Sequence, residues 1–311
     1  MTRLFHRLFP ASAALLIGVA SLTAATAGDD QPTRRPAGET RIYILDGKNA
    51  ELLAFDPRTG QHEVVALGRI QHQRVSPDGK SLVFMGNGEI SVASLTRPEP
   101  PRAILKLEAS PLGTPGIWSK DGTRLLLGRG NANPQDNSWI FQNFSVNADG
   151  TNLHELKIPP KYGIWGWSPD GKWLLTVSSR NAKQERQLHI MRTDGTEAKP
   201  ITEDGDPRYA RMSPDGTHVV YWDGSTEEQR GVWVIELKTL ERRKILATGT
   251  GHSPPCWSPD GTRIAIVHYD LALEAEKFGE GQRLIMVDPD GYNRVEIPLG
   301  GIQPSGMPDW R

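Results

Sequence analysis

Cysteine is almost absent from this chain: Cys256 is the only one in 311 residues. Disulfides within the chain are therefore impossible, and stability must come from packing. Cys256 stands next to Trp257, the setting of a small buried residue. Long apolar runs are missing as well. The stretch from Ala11 to about Leu22 is short of the ~20 residues that span a bilayer. Neither sign of charge dominates, since 36 Lys and Arg against 37 Asp and Glu leave a formal net charge of −1. With no Lys/Arg stripe either, nucleic acid is not expected as a partner. Gly-x-Ser-x-Gly does not occur. Gly251-His252-Ser253-Pro254-Pro255 imitates it only up to Pro255, which stands where the last glycine belongs, so a serine hydrolase is not expected.

What the chain does have is one short phrase five times over. It reads Ser76-Pro77-Asp78-Gly79, Ser119-Lys120-Asp121-Gly122, Ser168-Pro169-Asp170-Gly171, Ser213-Pro214-Asp215-Gly216 and Ser258-Pro259-Asp260-Gly261. Between the aspartates at 78, 121, 170, 215 and 260 the steps are 43, 49, 45 and 45 residues, the period of a four-stranded propeller blade. Proline presets φ for the second turn position, Asp favours the third, and Gly takes the left-handed position that closes a hairpin. A large apolar residue precedes each copy (Val75, Trp118, Trp167, Met212, Trp257), and a β-rich run such as Trp173-Leu174-Leu175-Thr176-Val177 follows it. Each phrase is therefore expected to join the innermost strand of a blade to the second. Each aspartate is accounted for by its turn, and none is needed as a calcium ligand.

The ends of the chain complete the count. Segments 41–46, 51–55 and 63–67 read as strands two to four of a blade without its own first hairpin. Trp310, 53 residues after Trp257, occupies an innermost-strand position with no hairpin after it. The expected fold is all-β, a six-bladed propeller in which the C-terminal strand closes the N-terminal blade and leaves no sheet edge free. Residues 1–27 carry Arg3 and Arg7, the short apolar stretch and Ala25-Thr26-Ala27, the pattern of a cleaved secretory signal. No Cys near that point could bear a lipid. Residues 28–40 then form a short leader and 41–311 the propeller, with a periplasmic or secreted location and no transmembrane segment after cleavage.

Phrases such as Trp167-Ser168-Pro169-Asp170-Gly171-Lys172 and Trp257-Ser258-Pro259-Asp260-Gly261-Thr262 resemble the repeat of TolB-type propellers, over roughly residues 41–311. The resemblance implies fold more than function, because similar repeats occur in prolyl-oligopeptidase-like enzymes, oligogalacturonate lyases and sensor proteins. It also implies that full TolB proteins carry a small α/β domain before the propeller and work in the cell envelope with a peptidoglycan-associated lipoprotein. Here only residues 28–40 separate the expected signal from the first strand. The expectation is accordingly a TolB-like propeller lacking that domain.

Function is expected on the face that carries the variable loops 128–138, 179–185, 223–230 and 269–282, in the last of which residues 271–278 read as a short amphipathic helical turn. Segments entering the innermost strands are expected to reach the channel rim there. The candidate binding residues are His72, Arg74, Tyr162, Trp165, Arg208, Tyr209, Arg211 and His252, suited to a peptide carboxylate or a sugar through forked guanidinium bonds and aromatic stacking. The competing reading packs Trp165 and Tyr209 between blades and leaves the arginines in solvent. Of the eight histidines only His72 and His252 precede innermost strands, short of the three or more ligands that a metal site gathers. No catalytic residue, metal or cofactor is expected. The reading is an exported, monomeric, non-enzymatic propeller that binds an envelope protein or peptidoglycan-associated partner, or a glycan. The alternatives are a carbohydrate-active enzyme similar to oligogalacturonate lyases, or a ligand-sensing accessory module.

Overall fold

The structure is a computed structural model that describes residues 23–24, 40–67, 71–86, 88–97, 99–106, 112–135, 139–178, 185–247, 253–269 and 282–311. The signal segment apart from Thr23 and Ala24, the leader up to residue 39, His252 and the predicted helical turn at 271–278 lie outside the described residues. Thr23–Ala24 pairs antiparallel with Leu67 and Ala66 at the outer edge of one sheet.

Five turn phrases build five hairpins with one set of hydrogen bonds. In each, the serine hydroxyl donates to the aspartate Oδ1 at 2.5–2.6 Å and accepts the backbone N–H five residues after it at 2.9–3.0 Å. The same Oδ1 accepts the N–H two residues on, at 3.0–3.1 Å. Gly79, Gly122, Gly171, Gly216 and Gly261 all sit at φ 70–77°, a region costly for any residue with a Cβ. The motif is thus closed within a few residues of itself, which is why it repeats unchanged in every blade that has it.

Among the described residues the strands form six sheets. Blade one is Ile42–Asp46, Glu51–Phe55 and His62–Leu67 with Pro304–Trp310 on its inner edge, so the last strand of the chain pairs with the first of the ring. The innermost strands of blades two to six are Gln71–Val75, Leu112–Trp118, Tyr162–Trp167, Pro207–Met212 and Cys256–Trp257. Outermost strands thin to two residues in blades three and four (His154–Glu155, Lys199–Pro200), the latter ending on a proline with no ladder donor. The expected loop at 128–138 is in part strand, because Arg124–Ala132 and Trp139–Asn147 continue the hairpin of blade three outward for nine residues each.

Alternation decides the core. In blade one Tyr43, Leu45, Leu52 and Ala54 pack with Val75, Leu82 and Phe84 of blade two, while Ile42, Ile44, Leu53 and Phe55 pack with Cys256, Ala265 and Val267 of blade six. Six such clusters fill the six blade interfaces. Cys256 is buried in one of them, and burial pushes its thiol up to about 12, so it behaves as a small apolar residue. No helix among the described residues is long and apolar enough to cross a membrane.

The ionisable groups set an acid response. Hydrogen bonds from the Ser119 hydroxyl and the Thr123 backbone hold the Asp121 carboxyl down at about 2, and Asp170 is lowered in the same way by Ser168 and Lys172. Burial lowers His72 and His189 below the ordinary 6.5. In both cases the unfolded chain binds more protons than the folded one between the two values, so stability falls as pH falls. The histidine contribution is lost as pH drops below 6.5, and the turn carboxylates add theirs below 3.8. The melting temperature is expected to be level from neutrality to about pH 9, where the raised Cys256 thiol begins to oppose folding, and to decline in two stages on acidification. A melting temperature that rises between pH 6.5 and 3.8 would contradict this assignment.

Candidate functional site at the channel mouth

The innermost strands run toward the Ser-Pro-Asp-Gly turns, and where they end they enclose a cavity of about 310 Å³. Its walls are Trp118, Trp167, Trp257 and Trp310 with Pro77, Pro169, Pro214 and Pro259 at the rim. Three of the four tryptophans are locked by their indole N–H to a carbonyl of the preceding blade: Trp118 to Arg74 at 3.1 Å, Trp167 to Ile117 at 3.3 Å and Trp257 to Arg211 at 3.0 Å. Trp310, on the closing strand, has no partner for its Nε1.

Charge gathers behind these walls. Asp309, 1% exposed, accepts the Val75 N–H at 2.8 Å on Oδ2 and Arg211 Nη1 at 3.2 Å on Oδ1, and its Oδ2 lies 3.2 Å from Arg311 Nε. Arg211 belongs to blade five and Asp309 to blade one, so this ion pair crosses the channel, passing over blade six. A second N–H of Arg211, on Nη2, goes to the Pro308 carbonyl at 3.0 Å, and Arg311 Nε donates to the Val75 carbonyl at 2.9 Å. Arg74 Nη2 lies 3.1 Å from the Met307 sulfur, and Arg74 Nη1 has no partner. Two guanidinium groups, of Arg211 and Arg311, therefore pair with one carboxylate, and a third, of Arg74, lies against Met307 in the same lining. Cations outnumber carboxylates in this lining, with Arg74, Lys120, Arg211 and Arg311 against Asp309.

The sequence-derived residues separate into groups. Arg74, Trp165 and Arg211 line this cavity, on the face of the turns and not on the long-loop face where they were expected. Position along the strand accounts for the difference, because Arg74, Trp165 and Arg211 stand two or three residues before the serine of their turn, at the turn end of the strand; the bulges between Gln71 and Arg74, between Ile164 and Gly166, and between Arg208 and Arg211 change only which neighbouring blade a side chain faces. Arg208, before the bulge, stays at the other end of its strand, where it pairs with Asp206 and lies over the Trp222 ring at 5.5 Å. His72 and Tyr209 sit at the bulges with φ of 52° and 58°. Tyr209 packs against Trp165 with ring centroids 6.0 Å apart, and Tyr162 lies buried, edge-on to His189 at 5.0 Å. His252 lies outside the described residues. Asp309, Arg311 and the tryptophan walls escaped the sequence reading as site residues. Their signal was present, in the Trp before the Ser of three of the five phrases and in Asp309-Trp310-Arg311 at the chain end. Among the described residues no three His, Cys, Asp or Glu gather closely enough to hold a metal ion.

A ring of six blades with a cavity at one mouth of its channel defines this protein as a six-bladed β-propeller. No family model matches the chain. Over 96 residues, 30% of the chain and 22% of the relative, it is 28% identical to the Tol-Pal system protein TolB of Alcanivorax borkumensis. The crystal structure of TolB from Acinetobacter baumannii superposes with a TM-score of 0.70 at 16% identity, covering 88% of this chain and 66% of that one. A putative TolB from Agrobacterium tumefaciens gives 0.62 at 22% identity, over 86% and 92%. The matched portions thus span less than two thirds of the first two proteins. The chain thus shares the propeller fold of these TolB structures.

Proposed function

We propose that this propeller acts in the cell envelope as a non-enzymatic binding protein, exported by residues 1–27, and that it holds a protein partner at the channel mouth on the face of the turns. One observation carries the reading: the lining combines five tryptophans, four prolines and the arginines Arg74, Arg211 and Arg311 around a cavity of about 310 Å³. Aromatic and Arg groups in a concave, desolvated setting are what protein recognition concentrates on. The rim itself is stiff, because every turn around it is tied by the same set of hydrogen bonds, so little order has to be gained on binding. The curated relative is named as a protein of the Tol-Pal system, which supports an envelope partner.

The test places a photo-crosslinking residue at Lys120, on the mouth, and at Tyr292, an exposed outer position that serves as control. One discrete envelope protein is expected to cross-link from position 120 and none from 292, with the mature chain beginning at Gly28 in an osmotic-shock fraction. Equal labelling from both positions, or turnover of polygalacturonate by the purified protein, would overturn the proposal.

A further inference from the structure

The lining of the channel mouth is one-sided in its hydrogen bonding. Every serine hydroxyl on its rim is already spent, since Ser119, Ser168, Ser213 and Ser258 each donate to the aspartate of their own turn. Asp309, the one acidic side chain in the lining, is engaged on both oxygens, by the Val75 N–H and Arg311 on Oδ2 and by Arg211 on Oδ1. Three donors are left over: Arg74 Nη1, Arg211 Nε and Trp310 Nε1 are buried without a partner, and all three residues line the cavity. Arg74 is only 8% exposed, so its free N–H cannot simply turn to bulk water. No lining side chain among the described residues keeps a buried acceptor unpartnered. Only donors remain unpartnered among its buried side-chain atoms, and its charged side chains sum to an excess of guanidinium, so a ligand that supplies acceptors would satisfy both.

We infer that the channel mouth is a carboxylate-binding site, in which the carboxylate of a peptide segment with an apolar or aromatic body takes the free N–H groups of Arg74 and Arg211 while the body rests on the tryptophan walls. A carboxylate offers two oxygens and about four lone-pair sites, enough for the three free donors, and pairs with guanidinium in short, charge-assisted bonds. The apolar walls select for a carboxylate on an apolar body over a free phosphate, which has more hydration to give up and nothing to set against tryptophan. The inference rests on the partner-binding reading of the same cavity and names the chemistry of what enters it.

The experiment uses the mature full chain with three probes: acetyl-Ala-Trp with a free carboxylate, the same dipeptide as its amide, and inorganic phosphate. Calorimetry gives affinities, and arginine side-chain nitrogen-proton NMR on the wild-type protein reports the Arg211 Nε–H directly. The free acid is expected to bind about tenfold or more tighter than the amide and than phosphate, as charge-assisted bonds would give, and to shift the Arg211 signal. The Arg74→Met variant should lose that preference with its unfolding midpoint unchanged. Equal affinity for acid and amide, no binding, or a preference that survives in Arg74→Met would overturn the inference, and phosphate binding as tightly as the acid would reduce the site to a generic anion cradle. If Arg74→Met fails to fold, the wild-type comparison and the Arg211 signal still decide. A cross-linked partner with no carboxylate preference would sink this inference alone; a carboxylate preference with no partner at position 120 would sink only the proposed function.

Discussion

Deleting residues 306–311 is expected to leave a protein that aggregates or melts far below the parent, whereas trimming residues 28–36 should change the melting temperature little. The closing strand Pro304–Trp310 pairs with Ile42–Asp46, and Arg311 and Arg41 exchange both backbone hydrogen bonds at 2.5 and 2.9 Å. Trp310 is 5% exposed and shares a cluster with Ile42, Ile44, Phe55 and Cys256, so it joins blade one to blade six. Removing a buried aromatic of this kind costs ~3–5 kcal/mol by itself. A domain has only ~5–15 kcal/mol in total. The deletion also bares the inner edge of Ile42–Asp46 to other chains. Circular dichroism melts and light scattering on the two truncations check the result, and equal tolerance of both would refute closure by this strand.

Asp309→Ala should be nearly as damaging although it removes a single carboxylate. Asp309 takes the Val75 N–H from blade two, Arg211 from blade five and Arg311 from its own strand. Without it, two guanidinium groups and a backbone donor face one another in the buried mouth. Breaking a buried pair by removing one partner costs ~3–5 kcal/mol, most of it from the charge left behind. Adding Arg211→Met to Asp309→Ala should recover part of the loss, with a coupling of ~0.5–3 kcal/mol in urea unfolding. An Asp309→Ala cost below ~1 kcal/mol would mean that water screens the mouth more fully than the 1% exposure of the carboxylate implies.

The site was legible in the sequence only in part. Arg74, Trp165 and Arg211 stood out as arginine and aromatic residues entering innermost strands, and they do meet at one cavity. Their face was misplaced. Which mouth a side chain reaches depends on its place along the strand, and these three stand at the turn end, two or three residues before their serines. The bulges at Gln71/Arg74, Ile164/Gly166 and Arg208/Arg211 decide instead which neighbouring blade each side chain faces, with His72 and Tyr209 adopting positive φ where glycine would have given warning. Tyr162 and Arg208 likewise look like rim residues, yet one is buried against His189 and the other is bound by Asp206.

By itself the sequence determined the turns, the blade period, the six-fold count and the role of Trp310 in closing the ring. All of these rest on interactions that close within a few residues or repeat at one spacing: the Ser–Asp–backbone cycle of each hairpin spans five residues and needs nothing from elsewhere. Only the tertiary structure decided the channel mouth. Asp309 meets Arg211 across 98 positions of sequence and Val75 across 234, contacts that exist because the last strand returns to the first blade and carries its carboxylate into the ring. No local pattern encodes that meeting. It follows from the closure of the ring, which brings the ends of six innermost strands to one point and turns scattered arginines into a single field of unspent donors.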